Sequence, residues 1–207
     1  DGKKIFSGSM NPTNNGATKN NNNLVLIESK ALATNYEAEF QEMWSGTFKK
    51  GDPVLNPVIE LDGITIKNYF CPEDHCADKV KDELKKAKKS IHFMTFSFTN
   101  EGIGNIILLK SLEDIEIQGV MEARQVTKYS VYESLIGQDL DVIKDGNKQN
   151  MHHKVFVIDE ETVVTGSFNP TGGGDTRNDE NVLIITDKDI AKEFEEEFEK
   201  VYAEANQ

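Results

Sequence analysis

The stretch His152-His153-Lys154-Val155-Phe156-Val157-Ile158-Asp159, followed after six residues by Gly166-Ser167-Phe168-Asn169, decides the fold. Val155 to Ile158 and Thr162 to Thr165 are runs of β-branched and apolar residues parted by Glu160 and Glu161, the pattern of two strands joined by a turn. Side chains two apart on a strand share a face, so His152 and Lys154 project together into one cleft. His153 turns to the other face, where a structural role is expected. The cleft then pairs an imidazole, able to attack or to donate a proton near neutral pH, with a permanent positive charge.

Working outward, the stretch belongs to an internal repeat. Residues 1-44 align without a gap to residues 159-202, and sixteen of the 44 aligned positions are identical. Asp1 falls on Asp159, Gly8 on Gly166, Ser9 on Ser167 and Asn11 on Asn169. Each copy runs on into a helix of the same phase, with Ala33, Tyr36, Phe40 and Met43 over Ala191, Phe194, Phe198 and Val201. Spacings of three and four residues make one apolar stripe, expected to face the core in both copies.

Before the second copy, the pattern predicts a strand over Gly63 to Phe70 and a helix opened by Pro72 with four lysines after it. Strands over Ile91 to Phe98, Ile115 to Met121, Leu140 to Ile143 and Lys154 to Ile158 follow, with helices around Ile103 to Lys110 and Ser130 to Ile136. This alternation predicts an α/β fold, a mixed β-sheet flanked by helices. Residues 63-207 form a complete half-domain and residues 1-44 the C-terminal part of a preceding one. Residues 45-62, with Gly51, Pro53 and Pro57, read as the linker.

The apolar fraction of 37% is enough for a core, and no run approaches the length of a membrane helix. A formal charge of -13 argues against a protein that coats nucleic acid non-specifically, though not against a local basic site. Cys71 and Cys76, with His75 between them, offer too few ligands for a metal site. Buried or free thiols are expected there, with a local disulfide as the option for an exported protein. The first residue is Asp1, and cytoplasmic and exported locations both stay open.

His-x-Lys, then Asp after four residues, then Gly-Ser-x-Asn after six more, resembles the defining signature of the phospholipase D superfamily. The resemblance implies a phospholipase D-like fold and phosphodiester hydrolysis in two displacements, without metal or cofactor. One His forms a phosphohistidine and a second protonates the leaving oxygen. Lys154 and Asn169 would hold the non-bridging oxygens with Ser167 as a further donor, matching the chemistry such groups offer. A carboxylate bonded to the active-site His is implied at Glu180, 28 residues after His152. Asp159 is expected to be structural, as are Gly166 and, in the first copy, Asp1 and Gly8.

Members of the superfamily build one site from two halves. Ser9 and Asn11 would then face the second copy's residues, while the first copy's His and Lys would lie seven and five residues before Asp1. Asn22 stands where the second copy has Glu180 and cannot stabilise an imidazolium by charge. Which His attacks phosphorus is left open. The expected partner is a half-domain preceding Asp1 or a second copy in a homodimer. The substrate is nucleic acid or phospholipid, with compact size favouring nucleic acid slightly and the acidic balance pulling the other way. An inert phosphate-binding module is the alternative from another class.

Overall fold

A computed structural model describes all 207 residues. The first repeat begins with a hairpin, β1 (Lys4–Gly8) and β2 (Leu24–Glu28), with the short helix α1 (Asn14–Thr18) between its strands and α2 (Lys30–Trp44) after it. The hairpin is antiparallel and forms its own two-stranded sheet.

The remainder forms one eight-stranded mixed sheet. In chain order its strands are β3 (Val58–Leu61), β4 (Ile64–Cys71), β5 (Ser90–Thr95), β6 (Glu116–Met121), β7 (Asp141–Lys144), β8 (Lys154–Ile158), β9 (Thr162–Gly166) and β10 (Glu180–Thr186). In space they lie β3-β4-β10-β9-β8-β5-β6-β7. Only the neighbouring pairs β5-β6 and β6-β7 are parallel, each joined by a helical crossover. Those crossovers are α4 (Glu101–Ser111) between β5 and β6 and α5 (Tyr132–Ile136) between β6 and β7, while α3 (Cys76–Leu84) leads from β4 into β5. α6 (Gly172–Thr176) follows β9, and α7 (Lys188–Ala205) closes the chain.

Alternation along β8 divides the core. Phe156 and Ile158 pack with Val80, Leu84, Ile103 and Ile107 of α3 and α4. Val155 and Val157 pack on the other side with Ala191, Phe194, Phe198 and Val201 of α7. A third cluster ties Ile5, Ile27 and Leu32 of the first repeat to Ile66, Leu183 and Ile185 of the sheet. The first repeat is therefore seated on the α7 side of the sheet by apolar burial, not merely tethered to it.

Several local expectations change. Pro72 does not open a helix: β4 runs on to Cys71, and the Cys71–Pro72 peptide is cis. The Asp74 carboxylate accepts from Phe70 N at 2.9 Å while Asp74 N donates to Phe70 O, closing a turn that delays α3 to Cys76. Cys71 and Cys76 are joined as a disulfide across that turn, so both sulfurs are buried but neither is a free thiol. The segment expected as a linker contains β3, which pairs with β4 because Ile59 has an apolar place beside Ile66.

The helical stripe also differs between copies. Phe198 is 2% exposed and stacks on His92 of β5, whereas Phe40, its counterpart, is 48% exposed and Trp44 77% exposed. The second copy's helix lies against β5 to β9, whereas α2 packs chiefly on β1.

Candidate active site

β8 starts beside the C-terminal ends of the parallel strands β5 and β6, the end where open α/β sheets gather their ligands. Thr95 of β5 lies opposite Lys154, and Phe96 N donates to His153 O at 2.8 Å. Just before β8, Met151 N donates to the buried Glu122 carboxylate at 2.8 Å, fixing how the chain enters the strand.

His152 and Lys154 share a face as expected. Lys154 Nζ lies 3.2 Å from His152 Nε2 and donates to His152 O at 2.9 Å. The Phe96 ring meets the imidazole edge-on at 4.6 Å between centroids, and Lys154 Nζ stands 4.9 Å from the centre of that ring. Phe96 was not singled out from sequence, where it reads as one more aromatic of an apolar strand. Its place just past the C-terminal end of β5 is the signal that would have found it.

The other imidazole nitrogen is held by the first repeat. His152 Nδ1 lies 2.9 Å from the main-chain carbonyl of Ser9, which can only accept, so Nδ1 carries the proton and Nε2 the lone pair. His152 N also donates to Asn21 O at 2.7 Å. Burial, then the neighbouring Lys154 charge, hold the imidazole below its ordinary pKa and so neutral. Burial also pushes the Lys154 ammonium down to about 7, with Glu180 pulling it back up. The side chain read as a permanent cation is thus a titrating one.

Glu180 does not hold His152. It begins β10, two strands from β8 in the sheet and opposite Cys71, and its carboxylate accepts from Asn178 at 3.1 Å. Strand order, invisible in the motif spacing, puts its charge to work on Lys154, and the Ser9 carbonyl occupies the place expected for a carboxylate. Asp179 accepts from Lys49 N.

Gly8 and Gly166 turn their strands with φ of 148° and 138°, and a Cβ at either would collide with the carbonyl of Asn23 or Asn181. The Ser9 hydroxyl accepts from Asn23 N at 3.1 Å, and Ser167 accepts from Asn181 N at 3.0 Å, so each Ser first closes its own turn. Asn11 and Asn169 follow those turns, and each accepts from a threonine N–H, Thr13 at 2.7 Å and Thr171 at 2.6 Å. The Asn169 side-chain oxygen is buried without a protein partner. Asp159 has φ 58° and accepts from Lys88, Lys89 and Ser90 N–H at 2.7 to 3.1 Å. Asp1 is exposed.

His153 is fully buried on the α7 side. Asn23 Nδ2 donates to its Nδ1 at 3.1 Å, and its Nε2 donates to Glu197 at 3.3 Å. Burial holds it neutral. An apolar groove of about 640 Å³ opens on this side between β2, β4 and α7, away from His152. Elsewhere Glu39, Glu42 and Glu73 bring carboxylate oxygens together where α2 meets the turn after β4.

The chain matches the family model described as "Cardiolipin synthase, PLD-like domain" over residues 1–44 and 80–202. It is 28% identical over 138 residues to a phospholipase D of Rickettsia conorii, covering 66% of this chain and 69% of that one. It is 27% identical over 157 residues to a mitochondrial cardiolipin hydrolase of Xenopus laevis, covering 74% and 71%. Among solved structures it resembles Nuc of Salmonella typhimurium, a phospholipase D family member, with a TM-score of 0.65 and 26% identity over 68% of this chain and 95% of that one. A phosphatidylserine synthase of Haemophilus influenzae shares the fold, with a TM-score of 0.70 at 10% identity over 98% of this chain and 60% of that one. With its signature residues at the mouth of a mixed sheet and a family match spanning both repeats, the chain belongs to the phospholipase D superfamily.

Proposed function

We propose that the chain is a phosphodiesterase in which His152 Nε2 attacks phosphorus and Lys154, with the Asn169 amide, holds the non-bridging oxygens. The observation that carries this reading is the bond from His152 Nδ1 to the Ser9 carbonyl, which leaves Nε2 as the nucleophilic nitrogen beside Lys154. A bound phosphoryl oxygen draws the Lys154 proton away from Nε2 and frees its lone pair. The attack breaks one P–O ester bond, expels that alcohol's oxygen and gives a phosphohistidine, and in a second step water cleaves the P–N bond and returns the free imidazole. Nucleophile and charge stabiliser are both side chains, so the reading expects an unchanged rate in EDTA.

A single half-site lacks the acid that protonates the leaving oxygen. In the second repeat Val164, Val182 and Ile184 are buried beneath α3 and α4, while their counterparts Phe6, Leu24 and Leu26 are 65%, 47% and 56% exposed. We propose that a second half-domain of the same build covers those residues and supplies the missing His. The chain as a monomer is then expected to turn over natural diesters poorly, and activity that falls on dilution marks assembly of two copies as the source.

Phospholipid and single-stranded nucleic acid are the diesters to compare. The names of the relatives and the -13 charge favour phospholipid, and the lack of any helix long and apolar enough to cross a membrane is compatible with either. Parallel assays on phosphatidylcholine, cardiolipin and single-stranded DNA, with and without EDTA, decide between them. Binding of phosphate groups without hydrolysis of any diester, and binding unchanged in His152→Ala, would replace this reading with the inert module.

A further inference from the structure

We infer that Asn23 is a positioning residue for His152: its side chain latches the Gly8-Ser9-Met10 turn of the first repeat onto β9 and His153 of the second, and so fixes the carbonyl that sets the imidazole's tautomer and aim. The proposal rests on the phosphodiesterase reading only for its catalytic consequence.

The Ser9 carbonyl can orient His152 only if the turn carrying it is fixed relative to β8. Asn23 grips that turn by its main chain, accepting from Ser9 N at 3.1 Å and Met10 N at 3.2 Å and donating its own N–H to the Ser9 hydroxyl at 3.1 Å. Its side chain then reaches into the other repeat. Asn23 Oδ1 accepts from the buried Thr165 hydroxyl of β9 at 2.9 Å, and Nδ2 donates to Nδ1 of His153, the residue next to His152, at 3.1 Å. The same Nδ2 lies 3.4 Å from the Ser9 hydroxyl. Accepting on one atom while donating from the other is what an amide can do and a carboxylate or hydroxyl of similar size cannot.

The latch has a counterpart related by the repeat. Asn181, aligned with Asn23, accepts on Oδ1 from the Ser7 hydroxyl of β1 at 2.8 Å and from the Tyr36 hydroxyl at 3.2 Å. Its Nδ2 donates to the Ser167 hydroxyl at 3.1 Å. Ser7 aligns with Thr165, so each repeat's Asn takes a hydroxyl from the other repeat's first strand. Only the Asn23 side chain reaches Ser9 and His153, the residues on either side of the His152 contact, whereas that of Asn181 stops at Ser7, Tyr36 and Ser167, which makes Asn181 an internal control of like construction.

Histidine ring nitrogens report tautomer directly by 15N-1H correlation in labelled protein, at a pH where the imidazole is neutral. The chain has four histidines, assigned by single replacements. In the parent, His152 is expected as the Nδ1–H form. Asn23→Ala should move its signals toward the Nε2–H form, and Thr165→Val, which removes one donor to the latch, should move them the same way by less. Asn181→Ala should leave them in place. His152 remaining Nδ1–H in folded Asn23→Ala overturns the proposal, and should that variant fail to fold, unchanged signals in Thr165→Val overturn it instead. Where a diester is turned over, kcat is expected to fall about tenfold or more with KM nearly unchanged, because aim is lost and not binding. A tautomer shift in a protein that cleaves no diester leaves the latch standing and removes the proposed reaction.

Discussion

At the scale of the residue, the chemistry turns on two shifted groups that face each other. Catalysis needs His152 neutral and Lys154 charged. Burial lowers both pKa values, the first from the ordinary imidazole range and the second to about 7. kcat/KM should therefore rise with pH as His152 loses its proton and fall again as Lys154 loses its own, a bell whose alkaline limb lies near pH 7 in the free protein. Glu180→Gln removes a charge that favours the Lys154 ammonium, so its alkaline limb should move to lower pH. A limb that stays put would remove Glu180 from the site. Lys154→Met should cost about 100-fold or more in kcat, as loss of a donor to developing charge does. The meeting of His152 with Lys154 was legible because its signature is local in sequence. The orienting group at His152 was not, because a main-chain carbonyl has no residue identity and Ser9 meets the imidazole only through the packing of one repeat on the other.

At the scale of the element, the site is held by its turns. Asp159 ends β8 by accepting three N–H groups from the segment that leads into β5, so the two central strands are tied at the end remote from His152. Asp159→Ala should lower stability by about 1 to 3 kcal/mol in denaturant unfolding, with the main-chain donors left unpaired. The disulfide that staples the turn between β4 and α3 lies beside Glu180 in register. Closing so short a loop is worth about 2 kcal/mol, and reductant should lower the thermal midpoint by several degrees. A midpoint indifferent to reductant would mean the bond adds nothing to the fold, whereas a dependent one fits an oxidising compartment. Strands β4 to β9 were readable from apolar runs. The delayed start of α3 was not, because Pro72 followed by acidic residues signals a helix start until the Asp74 side chain is seen capturing the turn. β3 is short and edge-placed, and earns its pairing from Ile66 across the sheet, which no local pattern records.

At the scale of the whole molecule, the first repeat is both clamp and open surface. Its inner side holds His152 Nδ1 through the Ser9 carbonyl, and its outer side leaves Phe6, Phe40 and Trp44 exposed. Near that surface Glu39 is pushed up to about 8 by burial and then by the adjoining Glu73 and Glu42 carboxylates. A carboxyl with a raised folded pKa binds its proton more tightly than the unfolded chain does, so stability is retained below its unfolded pKa and declines as pH rises from about 4.5 toward 8. Glu39→Gln should thus raise the thermal midpoint in mildly alkaline solution and change it little in acid. The repeat itself was plain in the sequence, but its unequal burial was not, since identical stripes meet different neighbours. The central claim, attack by His152, is tested most directly with a diester whose leaving group is p-nitrophenolate, which departs without an acid. Intact-mass analysis should find one covalent phosphoryl adduct, stable in base, labile in acid and mapped to His152. No adduct, or the same adduct in His152→Asn, would contradict the account.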